Sequence, residues 1–302
     1  MTHNRPEMAG LSLAEAGYSR GMQSLLAAIR QIATSNFSVL IVGEKGTGKE
    51  WAARAIHEMS NRSNGPFVCV DCVATDADSV DREICNPDGT LRSSEGMRKS
   101  LFEQAKGGTI FFDEISALPL VTQGKIVRIL KHRSLSQAGP GTPTHLDVRF
   151  IASLSRKPEA LVQESILRRE MYHRMSPIII NLPPLRERRE DVPYLIREFI
   201  LQCNREHGCT VSGVSLEALN LCLTYDWPGN IRQLRNAIEE AVVRCHDNIL
   251  HTVHFPPYVQ SRQPQPQRPI VLPESVSLST VEKLLIERAL SESRTKKEAA
   301  AM

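Results

Sequence analysis

A glycine-rich heptapeptide carries the clearest chemical signal in the sequence. It reads Gly43-Glu-Lys-Gly-Thr-Gly-Lys49 and lies between a short apolar run, residues 37–42, and a helical pattern that starts at Glu50. In a turn between a strand and a helix, glycines let backbone N–H groups close around phosphates, and the helix adds its positive end. Lys49 is predicted to reach the β- and γ-phosphates of a nucleotide, and a purely structural turn is the alternative. The predicted binding residues are Gly43, Glu44, Lys45, Gly46, Thr47, Gly48, Lys49 and Glu50.

Two adjacent carboxylates follow another apolar run further along the chain. Thr109-Ile-Phe-Phe-Asp113-Glu114 is typical of a buried strand that ends in acidic residues. A phosphoryl-transfer site needs such a pair, with Asp113 as a Mg²⁺ ligand and Glu114 activating the attacking water. The pair is common after apolar runs, but downstream of a phosphate-binding loop it predicts ATP and Mg²⁺ as cofactors. Glu50 follows Lys49, so no hydroxyl is available at that position to help hold Mg²⁺.

The order of the apolar and helical patterns predicts the fold class. Short apolar runs alternate with helical stretches up to Leu182, which indicates an α/β fold with a parallel sheet. After Pro183 and Pro184 the pattern becomes all-helical. The short runs lie at 37–42, 67–70, 109–112 and 148–152, and the later helices at 191–207, 215–225 and 230–246.

Composition sets further bounds. A chain of 302 residues with 41% hydrophobic content can bury one sizeable core and one smaller one. A net charge of +3 is too weak to indicate nucleic-acid binding by itself. The sequence shows neither a signal-peptide pattern nor an apolar run of membrane-spanning length, so no membrane partner and a cytoplasmic location are expected. In a cytosolic chain the seven cysteines are expected to be mostly reduced. Neither the Cys69/Cys72 pair nor the Cys203, His207 and Cys209 group has the second pair or strand-to-helix context of a metal or redox site, so buried or surface thiols are expected.

Four motifs, in this order along the chain, resemble the central domain of the bacterial sigma-54 enhancer-binding activators. They are Gly43–Glu50, Gly107-Gly-Thr-Ile-Phe-Phe-Asp-Glu-Ile115, Leu182-Pro-Pro-Leu-Arg-Glu-Arg188 and Trp227-Pro-Gly-Asn-Ile-Arg-Gln-Leu234. The resemblance implies an AAA+ P-loop NTPase core with a parallel sheet, followed by an all-helical lid. It also implies a ring-forming ATPase, a homo- or hetero-oligomer whose active site is shared between neighbours, with RNA polymerase holoenzyme as a partner. The expected domains are an α/β nucleotide-binding part (1–182), a lid (183–256), a proline-rich linker (257–276) and a partial Fis-like helix-turn-helix (277–302).

The resemblance also implies roles for single residues outside the two central motifs. Within Leu167-Arg-Arg-Glu-Met-Tyr-His-Arg174, it assigns Arg168 and Arg174 as arginine fingers that reach the neighbouring subunit's γ-phosphate. A solvated basic helix face is the alternative for these two residues. Arg232 is expected to be the nucleotide sensor of the lid, and Asn230 is predicted to cap the helix that carries it.

Three departures from the family pattern bear on function. The segment Cys85 to Lys99 stands where the family has its GAFTGA loop, and it lacks the Phe-Thr pair that engages sigma-54. Asp71 ends its strand where the family has Asn, so a like-charge contact with Glu114 and a proton on one of the two are expected. At the first sensor, Ser155 stands as a possible substitute and Leu154 cannot act.

Two function hypotheses follow. The first is an ATP-hydrolysing ring that remodels a transcription complex. The second is a non-activating regulator or partner subunit that binds nucleotide without opening sigma-54 promoters, and a nucleotide-binding relic is a third possibility. Because the chain stops within the first helix of the partial helix-turn-helix, promoter DNA binding is expected to be weak or absent.

Overall fold

A parallel five-stranded sheet forms the centre of the protein. A computed structural model describes residues 19–74, 90–93, 96–132, 134–135 and 144–260. The sheet strands run in the spatial order β2-β5-β8-β1-β9, and every neighbouring pair is parallel. The strands are β1 (Val39–Val42), β2 (Phe67–Asp71), β3 (Thr90–Ser93), β4 (Gly96–Lys99), β5 (Thr109–Asp113), β6 (Ser134–Leu135), β7 (Thr144–His145), β8 (Arg149–Leu154), β9 (Ile178–Asn181), β10 (Gly213–Val214) and β11 (Ile249–Leu250).

Helices cover both faces of this sheet. Alternate strand residues point to opposite sides, so apolar side chains on both faces are buried against helices. On one face Val39 and Ile41 join a buried cluster with the first two helices, whereas Leu40 belongs to the cluster on the other face. The helices are α1 (Arg20–Ala33), α2 (Lys49–Glu58), α3 (Leu101–Gln104), α4 (Leu120–His132), α5 (Pro158–Gln163), α6 (Arg169–Met175), α7 (Val192–His207), α8 (Leu216–Thr224), α9 (Asn230–Arg244) and α10 (Pro257–Gln260). The predicted α/β class with a parallel sheet is confirmed.

Both ends of α1 are tied to other parts of the chain. Its first turn is capped by Ser19, whose own N–H and hydroxyl donate to the Asp191 carboxylate at 2.8 and 3.1 Å. At its last turn the buried guanidinium of Arg149 donates to the carbonyls of Ile32 and Ala33. These bonds satisfy two of the acceptors that every helix end leaves open. Burial lowers the pKa of Arg149 to about 10.

The all-helical stretch after the sheet has a core of its own. We call residues 185–260 the lid region; α7, α8 and α9 bury a separate apolar cluster around Trp227. The Trp227 side chain is 1% exposed, and its indole N–H donates to the Cys222 carbonyl at 2.8 Å. The three helices predicted for this stretch are confirmed as α7, α8 and α9. The stretch is not all-helical as predicted, because β10 and β11 pair there as a short two-stranded sheet.

Several elements of the structure differ from the sequence predictions or were not predicted. Ile178–Asn181 forms the edge strand β9, which the apolar pattern had not indicated. Pro257–Gln260, assigned to the linker by prediction, forms a short helix with Val259 buried, so the linker prediction does not hold for these four residues. Part of the segment at the GAFTGA position is an antiparallel hairpin of β3 and β4. The rest of the predicted linker and the partial helix-turn-helix, 261–302, lie outside the described residues.

The described ranges hold neither a membrane-spanning helix nor a cluster of metal ligands. Within them, no helix combines the length and apolar character needed to cross a membrane. The same ranges contain no group of three or more His, Cys, Asp or Glu side chains arranged to hold a metal ion. The cysteines described there are free thiols, which agrees with the reduced state expected from the sequence.

Candidate nucleotide-binding site

The candidate site lies at the carboxyl edge of the sheet, where three neighbouring strands end. The glycine-rich loop follows β1, the pair Asp113 and Glu114 ends β5, and Ser155 follows β8. Ligands of open parallel sheets bind in the crevice outside this edge. The topology therefore brings together motifs that are far apart in sequence.

The glycine-rich loop has the backbone shape of a phosphate-binding loop. Gly46 and Gly48 have φ angles of +77° and +96°, in the left-handed region that favours glycine. The Thr47 side chain is buried, and its hydroxyl donates to the Glu44 carbonyl at 2.8 Å. Helix α2 starts at Lys49, directly after the loop, so its positive N-terminal end faces the same crevice.

Lys49 connects the loop to the neighbouring strand ends. Its side chain is 8% exposed, and its ammonium donates to the carbonyls of Gly43 and Glu44 at 3.0 and 3.3 Å. The ammonium also donates to the Ser155 hydroxyl at 3.1 Å and lies 3.9 Å from a Glu114 carboxylate oxygen. The structure thus places the predicted phosphate-binding lysine beside the predicted general base.

Ser155 holds the carboxylate of Glu114. Its N–H donates to Glu114 Oε1 at 3.0 Å, its hydroxyl donates to Oε2, and the Ser116 hydroxyl donates to Oε1 at 3.2 Å. Glu114 itself has a φ angle of +59°, which is rare for a residue with a side chain. At the sensor position, therefore, Ser155 contacts both Lys49 and Glu114, and the buried Leu154 packs into the core.

Ser153 is a site residue that the sequence did not reveal. Its buried hydroxyl donates to Asp113 Oδ1 and accepts the Glu114 N–H at 2.8 Å. Burial raises the pKa of Asp113, whereas the hydrogen bond from Ser153 and the charge of Lys49 lower it. A serine inside an apolar strand pattern gives no signal of this role, because only strand pairing brings β8 against β5.

The position of Asp71 differs from the sequence prediction. The sequence predicts that it faces Glu114, but it pairs in register with Asp113, and its charge is one of the smaller causes that raise the pKa of Asp113. Its Oδ1 accepts the N–H groups of Val73 and Ala74, both at 2.9 Å. Asp71 therefore closes the turn after β2, and its negative charge helps to raise the pKa of Asp113.

Asp113 and Glu50 are the two carboxylates to consider as ligands of Mg²⁺. Mg²⁺ takes oxygen ligands and usually binds through one or two carboxylates together with substrate phosphates and waters. Asp113 supplies one carboxylate at the crevice. The Glu50 carboxylate accepts two hydrogen bonds from Arg54, at 2.9 and 3.2 Å. The residues present thus fit an ion held by Asp113 and by phosphate oxygens.

The lid region meets the loop at Asn230 and Arg232. Arg232 is exposed, and its Cβ would lie 3.1 Å from a Cβ added to Gly46, which puts the predicted sensor beside the loop. The prediction that Asn230 caps α9 is wrong. Helix α9 starts at Asn230 itself, and the N-cap position is occupied by Gly229. The Asn230 amide donates to the Lys45 carbonyl instead.

The family to which the chain belongs is decided by sequence matches. Residues 16–181 match the sigma-54 interaction domain, and residues 186–270 match an AAA+ ATPase lid domain. The first match alone covers more than half of the 302 residues. The chain belongs to the sigma-54 interaction domain family.

Named relatives of this sigma-54 interaction domain chain are longer proteins. Nitrogen fixation protein VnfA of Azotobacter vinelandii is 37% identical over 246 residues, 81% of this chain and 47% of VnfA. Regulatory protein AtoC of Escherichia coli (strain K12) is 39% identical over 247 residues, 82% of this chain and 53% of AtoC. The chain spans about half the length of the curated relatives it matches.

Solved structures of NtrX from Brucella abortus have the same fold. The complex of NtrX with ADP gives a TM-score of 0.74 at 30% identity, covering 96% of this chain and 65% of that one. The complex with ATP gives a TM-score of 0.73 at 29% identity, covering 91% and 62%. The AAA+ P-loop NTPase fold with a helical lid is thereby confirmed.

The two predicted arginine fingers lie apart from the loop in this sigma-54 interaction domain. Arg168 precedes α6 and Arg174 lies in its last turn, and both side chains are exposed. The Arg168 guanidinium rests against Gly124 of α4 and donates to the Leu120 carbonyl. Their assignment as fingers in a neighbouring subunit's site stays a prediction.

The raised pKa of Asp113 predicts a stability change. An acid whose pKa is higher in the folded than in the unfolded chain is destabilising when ionised; this cost is fully present above the folded pKa and disappears as the pH falls below the unfolded pKa. We therefore expect Asp113→Asn, which keeps an acceptor for Ser153, to unfold at a higher temperature than the wild type at pH 7 without nucleotide or Mg²⁺.

Thermal unfolding over a pH series checks this expectation. The advantage of Asp113→Asn should shrink as the pH falls through the folded pKa of Asp113. Asp226→Asn changes a half-exposed carboxylate in the lid region and is the control. If Asp113→Asn is less stable than the wild type at pH 7, the ionised Asp113 carboxylate does not destabilise the folded state.

Proposed function

We propose that this chain binds ATP with Mg²⁺ at the carboxyl edge of the sheet and hydrolyses it within an oligomeric ring, as a transcriptional regulator. The observation that carries the proposal is the arrangement around Lys49, which joins the phosphate-binding loop to Ser155 and lies beside Glu114. Membership of the sigma-54 interaction domain family and the fold shared with ADP- and ATP-bound NtrX support it.

The chain's own groups divide the work of phosphoryl transfer. The loop N–H groups and Lys49 would bind the phosphates, and Arg232, whose Cβ lies beside Gly46, would contact the nucleotide from the lid region. Glu114 would take the proton of the attacking water, and Ser155 holds its carboxylate in one orientation. Mg²⁺ bound through Asp113 would offset charge on the phosphate oxygens. Ser153 fixes both the Asp113 carboxylate and the Glu114 backbone.

Nucleotide binding is tested through Lys49. A ligand that binds only the folded state stabilises it by about 2.7 kcal/mol at a hundredfold excess over its dissociation constant. We expect ATP to raise the unfolding temperature of the wild type and of Lys106→Ala, an exposed lysine outside the site, but not of Lys49→Ala. Differential scanning fluorimetry with and without ATP measures the shift. An equal shift in Lys49→Ala would refute the site.

A shared active site is the second part of the proposal. Arg168 and Arg174 are exposed, so a neighbouring subunit can contact them, and arginine fingers supplied in trans stabilise the charge of the transition state. The cost of leaving them exposed is small, because charged side chains are readily solvated. Any hydrolysis should then depend on contact between subunits.

Mixing two defective variants tests this dependence. Lys49→Ala keeps the arginines and Arg174→Ala keeps the loop, so each alone should be inactive, and their mixture should recover part of the ATP turnover. Arg169→Ala, an exposed neighbour on the same helix, is the control and should turn over ATP like the wild type. Specific activity should also rise with protein concentration. A mixture as inactive as its parts, with an active wild type, would exclude action in trans.

A second candidate function is regulation without activation of sigma-54 promoters. It is favoured by the segment from Asp88 to Met97, where the only large apolar side chains are Leu91 and Met97 and no aromatic residue occurs. A subunit that keeps its nucleotide site but lacks the aromatic loop would serve a different partner or join a mixed ring. Contact with RNA polymerase through this segment and DNA binding through 277–302 stay predictions.

In vitro transcription from a sigma-54 promoter separates the two functions. We expect no open complexes with this chain alone, because hydrolysis without an aromatic loop has no group to press on sigma-54. Added to an intact activator, the chain should inhibit or stimulate transcription through mixed rings, and the Lys49→Ala variant tests whether its nucleotide site is needed. Transcripts from the chain alone would exclude the non-activating function.

A further inference from the structure

The lid region holds the phosphate-binding loop by its backbone. Successive carbonyls of the loop each accept a hydrogen bond from a lid residue. The bonds are Asn230 Nδ2 to the Lys45 oxygen at 3.0 Å, the Ile231 N–H to the Gly46 oxygen at 2.9 Å, and Arg188 Nη2 to the Thr47 oxygen at 2.7 Å. None of these lid groups belongs to the chemistry assigned above.

These bonds orient the groups that would bind phosphate. In a planar trans peptide the carbonyl of one residue and the N–H of the next point in opposite directions. Carbonyls turned toward the lid region therefore turn the following N–H groups, those of Gly46, Thr47 and Gly48, away from it. The Thr47 N–H points to the interior of the loop, 3.4 Å from the Glu44 oxygen. Convergent N–H groups of this kind are what makes such a loop bind anions.

The side chain of Glu44 extends the same contact. Arg186 donates two hydrogen bonds to the Glu44 carboxylate, at 2.6 and 2.8 Å, in the bidentate geometry that fixes both groups. Asn230 Nδ2 also donates to Glu44 at 3.2 Å, and Asn230 Oδ1 accepts the Leu185 N–H at 2.8 Å. Asn230 is fully buried, and its amide nitrogen donates to the loop while its amide oxygen is bonded within the lid region.

The backbones of the two parts approach so closely that only glycine fits. A Cβ added to Gly46 would lie 2.3 Å from the Gly229 carbonyl oxygen. Arg188 is 5% exposed, and besides the Thr47 carbonyl its guanidinium contacts Met22 of α1. Gly46 and Thr47 are thus both in direct contact with the lid region.

We propose that Asn230, Arg186 and Arg188 are positioning residues that hold the loop in its phosphate-binding shape, so that docking of the lid region and binding of the nucleotide phosphates are coupled. The inference rests on the proposed nucleotide binding and adds to it. Because coupling is reciprocal, a nucleotide that gains affinity from the docked lid must strengthen the docking by the same factor.

Three single substitutions test the proposal. Asn230→Asp keeps the acceptor for Leu185 but loses both donors, and Arg186→Gln removes the bidentate pair at the surface. Arg189→Gln is the matched control, because the hydrogen bonds of Arg189 go to Arg186, Leu223 and Asp226 within the lid region. Dissociation constants for ADP and ATP are measured by calorimetry, and the free energy of unfolding without nucleotide is measured by urea titration.

We expect affinity to fall about tenfold in Asn230→Asp and about two- to fivefold in Arg186→Gln, whose ion pair is partly exposed, with Arg189→Gln within twofold of the wild type. Hydrogen exchange at residues 43–48 without nucleotide should be faster in the first two variants, and saturating ADP should remove the difference. A merely structural role would lower stability without this local and reversible effect.

The outcomes separate this inference from the function on which it rests. If the wild type binds neither ADP nor ATP, the proposed function fails and the coupling fails with it. If the wild type binds nucleotide, and Lys49→Ala does not, but Asn230→Asp and Arg186→Gln bind as tightly as Arg189→Gln, the coupling alone is overturned. Should Asn230→Asp not fold, the surface variant Arg186→Gln decides.

Discussion

The buried ammonium of Lys49 is the interaction on which the rest of the site depends. A charged group removed from water is costly unless it is hydrogen-bonded and paired. Here the loop carbonyls, the Ser155 hydroxyl and the nearby Glu114 carboxylate meet that need together. The same contacts bring the loop after β1 against the ends of β5 and β8, so satisfying one charge also assembles the phosphate-binding and proton-accepting groups.

Backbone strain is concentrated around this arrangement. In the described part of the chain four residues other than glycine have a positive φ, namely Glu114, Ser165, Trp227 and Asn230. Glu114 belongs to the site, and Trp227 and Asn230 flank the turn that docks on the loop. Such conformations persist only where surrounding contacts hold them. Two contacts are of that kind: the Glu114 N–H donates to the Ser153 hydroxyl, and the Asn230 amide donates to the Lys45 carbonyl.

How far the sequence predicts the structure depends on the range of the contacts involved. Strands β1, β2, β5 and β8 were predictable because each is a short apolar run next to a helical pattern, and Lys49, Asp113 and Glu114 were predictable because their motifs are local. The partners that position them were not. Ser153 reads as an ordinary strand residue, and Asn230 reads as a cap because a local rule favours it there. Its buried amide is used across 185 residues of sequence instead.

The separation of the site from the hairpin of β3 and β4 bears on how function diverges in this family. The groups proposed to bind nucleotide come from the ends of β1, β5 and β8 and from the lid region, and none of them lies between Thr90 and Lys99. Substitutions in that hairpin therefore leave Lys49, Glu114 and their partners in place. The hairpin can therefore change in sequence during evolution while the buried ammonium of Lys49 keeps its contacts with the site. A chain that keeps Lys49, Glu114 and their partners but has no aromatic residue between Thr90 and Lys99 is thus physically consistent.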